Sequence, residues 1–153
     1  MGSMEPNKNF KWIAEQARKN PNQIFAIAGT INEKVFSDGL GFECPDNMKL
    51  LGFVSDEEAK TLMRDCEAFL FPSIYEGFGI PPIEAISAGC KRIIVSDTEV
   101  MREIFSKSVI YINNDLCLAD ISENIEDTQF KVLKKYSWSN SAKLLKSLLF
   151  KEE

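Results

Sequence analysis

The chain has 153 residues, a net charge of −5, 44% hydrophobic and 27% charged residues. That is the composition of a globular domain with enough apolar mass for a core, which excludes disorder as the main state. The acidic balance, with an isoelectric point near 4.9, argues against a general nucleic-acid or anionic-membrane binder, and the lack of histidine removes His-based triads, His metal ligands and a His general base.

Taken in chain order, short apolar runs alternate with helical patterns. Pro6 opens a helix to about Lys19 with Phe10, Ile13, Ala14 and Ala17 on its inner face. A strand follows at 23–28. Residues 32–47 carry a helical pattern broken by Gly39, Gly41 and Pro45 and receive no assignment. After a strand at 48–53, Ser55 and Glu58 form a capping box for a helix to about Cys66. A strand at 68–72 leads to a short helix opened by Pro81 and Pro82, with Glu84 in its first turn and Gly89 at its end. Strand 92–96, a helix 99–106 capped by Thr98, and strand 109–113 follow. Trp138 leads into a last helix, 139–150, with a stripe of Leu144, Leu145, Leu148 and Leu149. The strands are apolar with little alternation, as a parallel sheet covered on both faces requires. The pattern predicts an α/β fold, a Rossmann-like three-layer α/β/α domain with a parallel sheet.

The four cysteines, at 44, 66, 90 and 117, show no CxxC spacing and read as reduced, mostly buried thiols of a cytoplasmic protein. No apolar run approaches the ~18 residues of a membrane span, and no signal peptide is apparent. Residues 97–127 hold eight acids and two bases, whereas 131–153 hold six lysines and two glutamates. The basic end reads first as the solvated face of an amphipathic helix. Docking on a partner domain, or peripheral contact with an anionic membrane surface, stays open beside it.

Residues 69–89, FLFPSIYEGFGIPPIEAISAG, carry the chemistry. A buried strand feeds a glycine-containing turn and then a helix N-terminus, whose open N–H groups and dipole suit an anion such as a diphosphate. Gly77 and Gly79 let backbone approach a ligand closely. In open α/β sheets the ligand sits beyond the carboxyl ends of the strands. Glu76 and Glu84 flank that anion site, so their natural partners are hydroxyls of a ribose or sugar ring. Each alone also fits a plainer role, Glu84 as a helix-dipole partner and Glu76 as an exposed loop acid. No GxGxxG after a strand, GxxxxGK[ST] or GxSxG is present, which argues against a dinucleotide fold, a P-loop and a hydrolase elbow.

The segment EGFGIPPIEA, after FLFPSIY and before ISAG, resembles the signature of glycosyltransferase family 4, retaining nucleotide-sugar transferases of GT-B architecture. LLGFVSDEEAKTLMRDCEAFLFPS, RIIVSDTEVMREI, YSW at 136–138 and the turn GSMEPNKNF at 2–10 also look like this family. The resemblance implies the C-terminal, donor-binding half of such an enzyme, 1–153, with the acceptor-binding N-terminal domain absent from this chain. It implies that Glu84 holds the donor ribose and Glu76 lies by the transferred sugar. By the same resemblance Gly77, Phe78, Gly79 and Ile80 contact sugar and diphosphate, and Val54 and Asp56 lie by the base. Lys8 matches a diphosphate lysine, Asn7 replaces the usual arginine, and Ser3 stands near where some members carry a second arginine. The family needs no metal or other cofactor, and the EPNKN turn leans towards GDP-mannose-like donors.

The expected function is transfer of a glycosyl group from a nucleotide sugar to an acceptor with retention, in polysaccharide or glycoconjugate biosynthesis. The alternative is a catalytically inactive nucleotide-sugar-binding module or subunit that needs a separate acceptor-binding chain. In the family a central strand directly precedes the turn matching 2–9, and here only Met1 does. A gap in the sheet, self-association and inactivity of the isolated chain are therefore expected.

Overall fold

A computed structural model describes residues 6–29, 43–112 and 128–150. The expectations for Ser3, most of 32–47, Asn113 and Cys117 lie outside the described residues. The elements are a 3-10 turn Pro6–Lys8, α1 Phe10–Lys19, β1 Phe25–Ala28, β2 Met48–Gly52, α2 Asp56–Asp65, β3 Phe69–Phe71, α3 Ile80–Ala88, β4 Ile93–Ser96, α4 Glu99–Phe105, β5 Ile110–Ile112, α5 Gln129–Lys135 and α6 Trp138–Leu149.

All strand pairs are parallel. Among the described residues the strands form two parallel pieces, β1–β2 and β3–β4–β5. Strand β4 explains the three layers. Its Ile93 and Val95 join a core with Met63 of α2, Ala85 and Ile86 of α3, Phe105 of α4 and Val132 of α5. Its Ile94 turns the other way, into a core with Trp12, Ile13, Ala14 and Ala17 of α1, Phe25 and Ile110. Successive strand side chains alternate faces, so an unbroken Ile-Ile-Val run feeds two cores at once.

Local signals decide the helix ends. The helix expected from Pro6 is instead a 3-10 turn and a separate α1, because Asn9 adopts the left-handed conformation at φ 55°, ψ 44°. Asparagine tolerates that region better than most residues. Ser55 and Glu58 form the reciprocal capping box of α2, and Thr98 accepts from Met101 N–H to start α4. The last helix begins at Trp138 rather than Ser139, capped by Ser137. Its four stripe leucines are all more than half exposed, so no described element covers that face. At the far end of α1, the Asn47 amide donates to the carbonyls of Ala17, Asn20 and Gln23 at 2.8–3.0 Å and fixes the entry into β1.

Glycines at both ends of α3 sit at positive φ, Gly79 at 89° and Gly89 at 98°. A Cβ on Gly79 would stand 2.7 Å from Cε of the buried Met101, whose side-chain end would have to shift. A Cβ on Gly77 meets nothing within 4 Å. Gly79→Ala should therefore cost about 2–4 kcal/mol, from left-handed strain plus overpacking. Gly77→Ala should stay within about 0.5 kcal/mol of the parent. Denaturant unfolding checks both, and equal losses at the two glycines would contradict this reading of the turn. Ser55→Ala removes half of the capping box and should cost about 1 kcal/mol by the same measurement.

Candidate anion and sugar site

The segment after β3 is held from both sides. Ile74 N–H donates to the carbonyl of Asn7 at 2.8 Å, and the Asn7 amide donates to the carbonyl of Tyr75 at 3.4 Å. These two bonds fasten the 3-10 turn to the loop that carries the glutamate. Pro72 and Ser73 are buried at the end of β3, Ile74 and Tyr75 are exposed, and Glu76 is half-buried.

At this junction Lys8 Nζ and Glu76 Oε1 lie 2.5 Å apart, with side chains 22% and 18% exposed. The ammonium also lies over the Phe71 ring, 5.4 Å from its centre. Two residues 68 positions apart are thus brought into one partly desolvated ion pair. Such a pair keeps each charge satisfied without ligand, and a phosphate or a sugar hydroxyl can replace one partner for the other.

The helix N-terminus beside it is narrower than the sequence suggests. Helix α3 starts at Ile80, with Pro81 and Pro82 at its second and third positions. Proline has no N–H, so two of the usual open donors are missing. The donors left for an anion are the backbone N–H groups of the turn itself, at Gly77, Phe78, Gly79 and Ile80. Phe78 is fixed edge-on against Tyr136, with ring centres 5.2 Å apart and an interplanar angle of 79°. That contact links the turn to the chain just ahead of α6.

Glu84 is the fifth residue of α3, not in its first turn as expected, because the helix begins at Ile80. It is exposed, and the described residues give it neither a hydrogen bond nor an ion pair. The helix-dipole role therefore loses its geometric basis, since that effect falls off beyond the first turn. Val54 lies half-buried in the loop after β2, and Asp56 is the exposed first residue of α2. Among the described contacts, neither touches the Lys8–Glu76 pair. The structure therefore unites Lys8, Glu76 and residues 77–80, and leaves Glu84, Val54 and Asp56 apart from them.

Two side chains went unnoticed in the sequence. Asn7 reads there only as a replaced arginine, yet it braces the loop through both its carbonyl and its amide. Its Oδ1 is buried without a partner among the described residues, as is Ser73 Oγ at the end of β3. The signal available was the polar residue placed directly after a buried Phe-Pro. At the end of β4, Asp97 accepts from Nε and Nη2 of Arg102 at 2.5 and 2.6 Å, and those bonds to the guanidinium hold its carboxyl below the usual range. Burial pushes Tyr111, under the same guanidinium, up to about 12. No group of three or more Cys, Asp or Glu among the described residues is placed to hold a metal ion, and no described helix is long and apolar enough to cross a membrane.

Residues 1–148 match the family described as Glycosyl transferases group 1. The chain is 42% identical over 73 residues to the O-antigen chain mannosyltransferase RfbU of Salmonella typhimurium, covering 48% of this chain and 20% of that protein. It is 24% identical over 159 residues to the O-antigen chain mannosyltransferase B of Escherichia coli, covering 92% of this chain and 42% of that protein. It is 30% identical over 139 residues to the uncharacterized glycosyltransferase MJ1607 of Methanocaldococcus jannaschii, covering 80% and 35%. The chain spans less than half the length of each of these relatives. With nearly its whole length matched, and with the glycine turn and its paired lysine and glutamate in one place, this chain belongs to the glycosyl transferases group 1 family.

Proposed function

We propose that this chain is the donor-binding half of a retaining glycosyltransferase that takes a nucleotide-diphosphate sugar. The Lys8–Glu76 pair against the 77–80 turn carries the reading. As the bond from the sugar to the diphosphate breaks, negative charge grows on the leaving phosphate oxygens. Lys8, once released from Glu76, and the N–H groups of residues 77–80 stabilise that charge. Glu76 exchanges its bond to Lys8 for a sugar hydroxyl and orients the ring. Glu84 accepts from the ribose hydroxyls, and Val54 and Asp56 border the base. In this reading the lysine and the turn do the neutralising, with no metal required.

Mannose is the sugar we favour, because two relatives reported above are named mannosyltransferases of O-antigen chains. The acceptor site belongs to a separate N-terminal domain or chain, so the isolated chain binds donor and does not turn it over. A calorimetric screen of UDP, GDP, ADP and dTDP tests the reading, and no binding by any of them would reject it.

Glu84→Gln should leave the fold intact, since the side chain is exposed and unbonded. It should weaken nucleoside diphosphate binding by about 1.5–3 kcal/mol, the range of a charged hydrogen bond. Unchanged affinity by calorimetry would remove Glu84 from the site. Lys8→Met should weaken the diphosphate more than the nucleoside, and added salt should shrink the difference in the parent, because the lysine is partly exposed. An equal loss for both ligands would mean that Lys8 does not meet phosphate.

A further inference from the structure

Among the described residues, two thiols outside the donor site face each other. Cys66 Sγ and Cys90 Sγ lie 3.8 Å apart, although the residues are 24 positions apart in sequence. Both are free, Cys90 buried and Cys66 half-buried.

The parallel strands bring them together. Phe69 of β3 lies opposite Ile93 of β4, and Phe69 N–H donates to the Arg92 carbonyl at 2.8 Å. Cys66 stands three residues ahead of Phe69, and Cys90 three residues ahead of Ile93. Two chains that enter a parallel pair after lead-ins of equal length run side by side, at about the 4.8 Å spacing of neighbouring strands. A disulfide bridges Cα atoms about 4.4–6.8 Å apart, so such lead-ins are close enough to be joined. Each lead-in also leaves a helix. Cys66 is the C-cap of α2, and its N–H donates to the Leu62 carbonyl at 3.0 Å. Cys90 follows Gly89, whose φ of 98° ends α3, and its N–H donates to the Ala85 carbonyl at 2.9 Å. The backbone behind both sulfurs is thus fixed.

Little holds the sulfurs apart. As neutral thiols, Cys66 donates to the Met63 carbonyl at 3.2 Å and Cys90 to the Arg92 carbonyl at 3.4 Å. A thiol is a weak donor, so these bonds are readily given up. When Cys90 ionises, the Cys66 thiol donates to it, which pulls Cys90 down to about 7, while the same bond, with burial, pushes Cys66 up.

We propose that Cys66 and Cys90 are a redox modification site, which a small-molecule disulfide converts reversibly into an intramolecular disulfide that closes residues 66–90 into a loop. Cys66, the sulfur nearer solvent, attacks one sulfur of the small disulfide as its proton passes to the Cys90 thiolate, and one small thiolate leaves. Cys90 then gives its proton to solvent and attacks the Cys66 sulfur, and the second small thiolate leaves. Two protein thiols are oxidised, and one small disulfide is reduced to two thiols. The closed loop is the segment that carries Glu76, the 77–80 turn and all of α3. The bridge lies beyond the far end of α3, whose 9 residues put it ~13 Å from the turn at a rise of ~1.5 Å per residue, so it blocks none of the turn's donors.

The test equilibrates the folded chain with glutathione disulfide, blocks free thiols by alkylation and digests with trypsin. Residues 65–91 form one tryptic peptide that contains Cys66 and Cys90, no other cysteine and no internal Lys or Arg. That peptide should lose two hydrogens, resist alkylation and regain two free thiols with dithiothreitol. Cleavage after its glutamates should leave 65–67 joined to 85–91. In the oxidised chain, amide hydrogen exchange along α3 should be at least ~10-fold slower than in the reduced chain. Cys66→Ser, at the half-buried position, should show neither change. Two free thiols throughout, in a buffer that oxidises the urea-unfolded chain, would overturn the proposal. So would a mixed disulfide with glutathione that persists on Cys66, pairing of either residue with Cys44 or Cys117, or unchanged exchange along α3 in the oxidised chain.

Discussion

The site depends on how the turn Pro6–Lys8 is fastened to the loop after β3. Three contacts do this: Ile74 to the Asn7 carbonyl, the Asn7 amide to Tyr75, and Lys8 to Glu76. The two hydrogen bonds set the position of the loop, and the ion pair sets its charge. Only the ion pair is exchangeable. On the proposed function an incoming anion competes for the lysine while the backbone bonds stay, so that a ligand would bind without dismantling the scaffold. Asn9, in the left-handed region directly after Lys8, breaks the helix there and frees the turn to make these contacts.

The glycine turn is built to a similar division of labour. Gly79 is pinned beneath Met101 and Phe105, and its left-handed backbone starts α3. Gly77, two residues earlier, faces open space. One glycine is there for packing and conformation, and the other, on the proposed function, leaves room for a ligand. The consecutive prolines that follow start the helix while removing two of its donors, which leaves the turn rather than the helix end with the open N–H groups. The large cavity is a separate matter. Apart from Lys8, that cavity, about 850 Å³ between the two pieces of sheet, is lined by none of the residues assigned to the donor.

Much of this was legible in the sequence because it rests on local chemistry. The Ser55–Glu58 box, the Thr98 cap and the Gly89 stop are each decided by a few adjacent residues, and the strands of unbroken Ile, Val and Phe announce a doubly covered sheet. The segment from Glu76 to Glu84 stood out from its own strand, glycine turn and helix start, whereas Lys8 was joined to it only through resemblance, since nothing local says that residues 8 and 76 will meet. What sequence could not supply was long-range. The position of Glu84 in the second turn depends on where Gly79 places the helix start. The bracing by Asn7 depends on contacts with the loop after β3, far away in the sequence. The exposure of the leucine stripe on α6 depends on what else packs there, and a helical pattern alone does not say whether a partner is at hand.

The central claim is that the anion sits on residues 77–80 with Lys8 and Glu76 beside it. Titrating the isotope-labelled chain with a nucleoside diphosphate, and following backbone and lysine side-chain resonances, tests it most directly. The account predicts the largest shifts at the amides of Gly77, Phe78, Gly79 and Ile80 and at the Lys8 ammonium, with β4 and β5 unmoved. Shifts centred on the cavity-lining residues of β1 and β3, with the 77–80 amides silent, would contradict it.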